Sequence, residues 1–443
     1  MSLLRFFIAL FLFWMCGAWL ASLAQAAAVP AAQPLPEPLT LEAALSLADQ
    51  SYPDVAQAQA ALDQARAERD AVKAGNSVQA SIEGRLRWVE PSPAAPNQTH
   101  NDNHVGLYVT KRLYDFGRTK SRLNAARDEI NSRQLLYTDA RAQHRLDVIG
   151  AYFDVLLADL KYARDNEAMA VAYVSFDRMR DRRKQGEVSD IDVLKAQQEY
   201  QLARRKRYAS DVERRASRSR LANLLNRPGM LPSTLVKPDL PDLTRKLPDV
   251  EQLEQQALHG NPVLESLRAR VKAAQQRVQA ARAGNYPVID GELETSAYNR
   301  ELGSTDRVRA GILFRMPLFT GGAVSADIAR QQAALRRVRA ELARKEMDVR
   351  QAVLEAWQQV YVLHAQRDAA RVNADYRDLY LDRSRALYEL DVKTDLGDSM
   401  VEYTAAQLYN ARTRYQLALT LARLNALTGK PVWSPPSAGG GKP

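Results

Sequence analysis

The chain is 443 residues long, 46% apolar and 26% charged, with a net charge of +10 and twenty each of glycine and proline. A mean hydropathy of −0.40 excludes a bundle of membrane helices, and ordinary glycine and proline usage excludes collagen-like or low-complexity chains. Excess base suggests nucleic acid, but runs such as Arg178-Met179-Arg180-Asp181-Arg182-Arg183-Lys184 mix both signs, the pattern of a solvated helix face.

Residues 1–28 read as a secretory signal. Arg5 supplies the positive start, residues 6–20 are uncharged and apolar, and Ala24-Gln25-Ala26 offers the small-x-small cleavage pattern. The run is too short for a membrane anchor. Cys16, the sole cysteine, follows Trp14 and Met15, which argues against lipidation. The cleaved chain would carry no cysteine, as suits an exported protein without disulfides.

From residue 29 to 229 the chain follows one plan. Tyr52-Pro53 opens an Ala/Gln/Arg-rich helical stretch that closes at Ala74-Gly75-Asn76. A β-hairpin follows at about 77–113. Val78, Ala80, Ile82, Gly84, Leu86 and Trp88 share one face, and Gln79, Ser81, Glu83, Arg85 and Arg87 the other. Val105, Leu107 and Val109 continue the apolar face on the return strand. No proline occurs between Asn97 and Arg227, so long helices are free to form. Arg118 to Lys184 as one helix would be about 100 Å long, and Ile149, Phe153, Leu156, Leu160 and Ala163 recur at helical spacing.

Residues 230–248, bracketed by Pro228 and containing Pro232, Pro238, Pro241 and Pro248, read as a linker. Residues 249–430 then repeat the plan. Asn261-Pro262 opens a stretch closed by Ala283-Gly284-Asn285, and a second hairpin is expected at about 287–318. There Ile289, Gly291, Leu293 and Ala297 oppose Asp290, Glu292, Glu294 and Ser296, while Val308, Ala310, Ile312, Phe314 and Met316 oppose Arg307, Arg309 and Arg315. Leu113-Tyr114-Asp115-Phe116-Gly117 returns as Leu318-Phe319-Thr320-Gly321-Gly322, and Ala151-Tyr152 as Ala356-Trp357. Val338, Leu342, Val349, Val353, Ala356, Val360 and Leu363 mark a coiled-coil seam. Residues 431–443 read as a disordered tail.

Strands of about ten residues, apolar on one face and charged on the other, suit a transmembrane barrel with a wet lumen. Four strands cannot close a barrel, and lipid tolerates no open edge. The chain must therefore oligomerise.

Chemistry is otherwise absent. His100, His104, His144, His259 and His364 form no metal-ligand spacing, and neither a phosphate loop nor a Ser-His-Asp arrangement is present. The expectation is no enzyme, no cofactor and no metal. Trp88 and Tyr108 are candidates for an aromatic girdle at the membrane interface.

Along nearly all of its mature length the chain resembles the TolC family of outer-membrane efflux and secretion channels. The resemblance rests on Leu39-Thr40-Leu41-Glu42-Ala43-Ala44-Leu45 with Tyr52-Pro53, Ala281-Arg282-Ala283-Gly284-Asn285-Tyr286-Pro287, Pro317-Leu318-Phe319-Thr320-Gly321-Gly322 and Leu424-Asn425-Ala426-Leu427-Thr428-Gly429. It implies an α+β membrane protein of two tandem structural repeats. The homotrimer would form a twelve-stranded transmembrane β-barrel, four strands per chain, continued by a long antiparallel α-helical coiled-coil tunnel. It also implies a passive exit duct in the outer-membrane lipid. The duct would dock with a periplasmic adaptor protein and an inner-membrane pump or ABC transporter, and would take no nucleic acid.

Members close the periplasmic end with a latch whose matching positions here are Asp192, Tyr388 and Lys393. Lys393 stands where some members have arginine, which loses the two-pronged grip on a carboxylate. Two acidic rings that constrict the tunnel in some members match Gly397 and Met400, with Asp395 and Asp398 close by on shifted faces. Gly397 would also let that turn bend more freely than an aspartate. Two other readings compete: a periplasmic coiled-coil adaptor, which would lack the duplication, and a basic cytoplasmic coiled-coil scaffold, which would lack the signal and the strands.

Overall fold

The computed structural model describes residues 35–49, 52–300, 305–390, 392 and 395–433. The signal (1–28), Lys393 and residues 434–443 of the tail lie outside them. Two short helices, α1 (Leu41–Ala48) and α2 (Pro53–Ala74), lead to strands β1 (Gln79–Arg85) and β2 (His104–Tyr114). Helix α3 (Arg118–Lys184) descends for 67 residues and α4 (Asp190–Leu224) returns beside it. Helices α5 (Val250–Gly260) and α6 (Pro262–Arg282) then lead to β3 (Val288–Tyr298) and β4 (Val308–Arg315), and α7 (Ala323–Glu389) and α8 (Leu396–Leu427) close the chain. Among the described helices, none is long and apolar enough to cross a membrane.

The two rods begin alike. Both α3 and α7 have 67 residues and start after glycines in the left-handed region, Gly117 at φ 84° and Gly322 at φ 85°. Glycine enters that region without the steric cost of a Cβ. At α3 the Asp115 carboxylate accepts the Thr119 N–H at 2.8 Å, taking one of the free donors of the first turn. At about 1.5 Å per residue each rod is about 100 Å long.

The strands form one antiparallel sheet in the order β1-β2-β3-β4. Its register aligns faces as the alternation requires: Ile82 stands opposite Leu107, Val109 opposite Leu293, and Leu293 opposite Ala310. Among the described residues two edges, on β1 and β4, have no neighbouring strand. The expected hairpins are present, but β1 ends at Arg85, and Trp88 only bridges Asn101 beyond it.

The core lies at mid-height on the rods. Val148, Ile149, Tyr152, Phe153 and Val155 of α3 are buried among Leu39, Leu41, Ala44, Leu221, Tyr415 and Ala418. On α7, Val349 and Val353 pack with Leu253, Leu258 and Leu264, and Val360 and Leu363 with Leu417. Most of the expected seam is therefore inside. Leu156 and Leu160 are half-buried, however, and Ala163 is exposed.

The proline-rich stretch 230–248 is not a loose linker. Leu235 bridges Leu39 in parallel, and Leu235, Leu240 and Leu243 pack on the core. Its carbonyls are claimed by side chains of the rods. The Tyr152 hydroxyl lies 2.6 Å from Val236 O and 2.8 Å from Leu39 O. Arg218 donates to Pro232 O at 3.1 Å, and Trp357 Nε1 to Pro248 O at 3.2 Å. Prolines keep this stretch out of helix, and apolar burial with satisfied carbonyls fixes it as a belt.

Candidate functional site

Three surfaces carry the expected chemistry: the two faces of the sheet and the far tip of the rods. On the charged face of the sheet, Glu83, Arg85, Tyr108, Arg112, Asp290, Glu292, Glu294, Arg309 and Arg315 alternate with the apolar positions. Arg112 Nε meets Asp290 Oδ1 at 3.2 Å and Arg309 lies 3.6 Å from Glu294. Ser296 donates to Glu294 Oε1 at 3.0 Å. Such a face is stable only where water reaches it. The opposite face exposes Ile82 (75%), Ile312 (74%) and Phe314 (60%), apolar surface of a kind that calls for lipid or protein.

The two aromatic candidates part company here. Trp88 is exposed and stacks on His100 with ring centroids 5.5 Å apart. Tyr108 stands on the charged face, opposite Ser81 and Glu294, with its ring laid over Gly106. A girdle residue must look out from the apolar face, and Tyr108 stands on the charged face instead. The alternation with Leu107 and Val109 carried that signal in the sequence.

At the tip, the α3–α4 turn places Asp192 in the first turn of α4. Ser189 Oγ accepts from Asp192 N at 3.3 Å, and the Asp192 carboxylate accepts from Ser189 N at 3.0 Å and Ser189 Oγ at 2.6 Å. This reciprocal cap holds the Asp192 carboxyl below its ordinary range, chiefly through the Ser189 hydroxyl. Tyr388 occupies the last turn of α7 and is half exposed. Lys393 lies outside the described residues, so of the three positions expected to form a latch Asp192 and Tyr388 have a described geometry.

Asp395 precedes α8 and accepts the Tyr380 hydroxyl at 3.2 Å, while Ser384 and Ser399 share a buried hydrogen bond of 2.8 Å. Asp398 is exposed in the first turn of α8 and Met400 is half-buried behind it. Gly397 is not a turn residue. It lies inside α8, and a Cβ there would come within 2.8 Å of Val171 on α3. Close approach, not freedom to bend, is what a glycine serves at this position. The Tyr380–Asp395 and Ser384–Ser399 ties escaped sequence reasoning; the four-residue step from Tyr380 to Ser384 along α7 was their only signal.

The description "outer membrane efflux protein" matches this chain over residues 44–227 and 253–430. The chain belongs to the outer membrane efflux protein family. Its place is thus the outer membrane. The protein CyaE of Bordetella pertussis is 27% identical over 270 residues, covering 57% of this chain and 56% of CyaE. A proteases secretion protein, PrtF of Dickeya chrysanthemi, is 26% identical over 165 residues, 35% of this chain and 36% of PrtF. The chain thus spans little more than half of CyaE and about a third of PrtF. The CmeC outer membrane channel of Campylobacter jejuni superposes with a TM-score of 0.71 at 15% identity, covering 88% of this chain and 85% of CmeC. That likeness establishes the fold. Nothing in these matches supports the adaptor alternative.

Proposed function

We propose that three copies of this outer membrane efflux protein close one twelve-stranded barrel and join their rods into a tunnel across the periplasm. The duct would form the exit of an efflux pump or a type I secretion system, with cargo brought by a periplasmic adaptor and an inner-membrane pump or ABC transporter. The observation that carries this reading is the sheet: four strands, one apolar face, one charged face and two unpaired edges. Lipid forbids such edges, and further copies of the same sheet close them. The two tandem halves, 29–229 and 249–430 about the belt 230–248, would give the trimer a near six-fold tunnel. The secretion branch draws support from PrtF, whose description is a proteases secretion protein.

In this reading the tip is the gate. Tyr388 and Lys393 on one coil reach Asp192 on the other, and Asp395, Gly397, Asp398 and Met400 line the narrowest part. Exposed ion pairs contribute only about 0–1 kcal/mol each, so the latch opens when a partner pulls the coils apart. Conductance in planar lipid bilayers tests both parts. The native protein should give small, mostly closed events, and Tyr388→Phe with Lys393→Ser a clear rise. Equal conductance would remove the latch and keep the pore; no conductance from either protein would end the channel reading.

A further inference from the structure

We infer that the β1 edge of one copy pairs with the β4 edge of the next in one register, with Glu83 opposite Arg315 and Phe314 opposite Gly84. The inference rests on the proposed closed barrel and names the residues of its seam.

The register follows from correspondence between the halves. Ala74-Gly75-Asn76 and Ala283-Gly284-Asn285 lie 209 residues apart, and β1 starts at Gln79 where β3 starts at Val288, the same 209 apart. Gly117 and Gly322, with φ of 84° and 85°, lie 205 apart. So do Gly106 and Gly311, as do both ends of α3 and α7. Strand β3 is therefore the counterpart of β1, and β4 of β2. The seam between β4 and the next β1 is the counterpart of the β2–β3 ladder inside the chain.

That ladder pairs Leu107 with Thr295, Val109 with Leu293, Thr110 with Glu292 and Lys111 with Gly291. Carried across the seam, Ile312 faces Leu86, Phe314 faces Gly84, Arg315 faces Glu83 and Met316 faces Ile82. In these four pairs apolar residues meet apolar residues and the one acid meets a base, while Leu313 faces the aliphatic stem of Arg85.

Neighbouring registers are worse. A two-residue slip one way sets Arg315 against Arg85, and the other way leaves it against Ser81 with Glu83 facing Leu313. A one-residue slip would turn the apolar set to the wrong face. Like charges directly opposite destabilise a ladder and opposite charges stabilise it by about 0.2–1 kcal/mol.

Shape points the same way. A Cβ at Gly291 would meet Leu113 at 3.4 Å and one at Gly106 would meet Tyr108 at 2.9 Å, whereas one at Gly84 would meet nothing. Within the chain, then, Gly84 on the β1 edge is uncovered, and Phe314 on the β4 edge is 60% exposed. An aromatic ring covering a glycine on the facing strand is a known device for pinning register. The occupant of each edge is a second copy of this chain.

Disulfide trapping tests the seam. In a Cys16→Ser background, Glu83→Cys with Arg315→Cys should lock most of the oxidised protein into covalently joined copies on a non-reducing gel. Glu83→Cys with Leu313→Cys, and Arg85→Cys with Arg315→Cys, should leave only a trace. Directly opposed Cβ atoms lie about 4.5–5.5 Å apart and diagonal neighbours about 7–8 Å, beyond disulfide reach. Charge reversal gives a second reading: Glu83→Arg should lower the temperature at which the assembly dissociates, and adding Arg315→Glu should restore it. Cross-linking by a slipped pair, or by none in a protein whose native mass is oligomeric, overturns the register. A monomeric native mass in detergent overturns the closed barrel itself.

Discussion

His144 is buried at 3% exposure and stacked on Tyr52 with ring centroids 4.0 Å apart. Neither of its ring nitrogens has a hydrogen-bond partner among the described residues. Burial lowers its pKa from the ordinary 6.5, against the opposing pull of Asp147, Asp54 and Asp49. Arg141 and Arg145, at 3.2 and 3.7 Å, tie up the Asp49 carboxylate. The unfolded chain therefore takes up a proton before the folded one does. Stability from this site is complete above about pH 6.5 and is lost as pH falls below it. A single group changes stability by at most about 1.4 kcal/mol per pH unit. Thermal midpoints measured between pH 7.5 and 5.5 should fall for the native protein and fall less for His144→Phe, which keeps the stack and removes the titration. Equal slopes would show that His144 is silent.

At the scale of elements, Gly397 at the start of α8 is a point of close approach to Val171 on α3. Ala at position 397 gains helix propensity, worth up to about 1 kcal/mol against glycine. Its Cβ, however, would lie 2.8 Å from a methyl of Val171, a side chain stiff at χ1. Overpacking typically costs about 1–3 kcal/mol, so Gly397→Ala should destabilise the protein slightly or moderately, and Val171→Ala added to it should restore the loss. Denaturant unfolding of the single and double variants checks both directions; a neutral single variant would mean that α8 stands off from α3.

The rods were legible in the sequence from the absence of proline and the spacing of Val349, Val353, Val360 and Leu363. Arg118–Lys184 agrees with its helix residue for residue. The strands were legible from alternation, because a period of two leaves few other readings. The belt was not: Tyr152 and Trp357 find their carbonyl partners 84 and 109 residues away, and no local pattern announces such bonds. Tyr108 was misplaced because an aromatic was weighed by its type and not by its parity. Gly397 was read as a flexible turn because the neighbour that demands a glycine, Val171, is more than two hundred residues distant in the chain.

At the scale of the molecule, a single chain leaves much unsatisfied. Ile191 (77% exposed) and Leu194 (63%) on α4 join the open strand edges in lacking cover. The conductance and cross-linking outcomes above both follow from copies supplying that cover. The equal rods carry a further consequence. Each of the two 67-residue helices starts at a twin glycine cap beside the sheet and is followed by a returning helix. The length of the rods is then a quantity that comes in steps. A heptad removed from α3 alone shifts every contact with α4 below the cut. A heptad removed from α3, α4, α7 and α8 together, between belt and tip, keeps all seams in phase. The matched deletion should leave a folded protein about 10 Å shorter, measurable as a smaller maximum dimension in solution scattering, whereas the lone deletion should fail to fold. A lineage that needs to span a wider or narrower periplasm would have to lengthen or trim its two halves in concert.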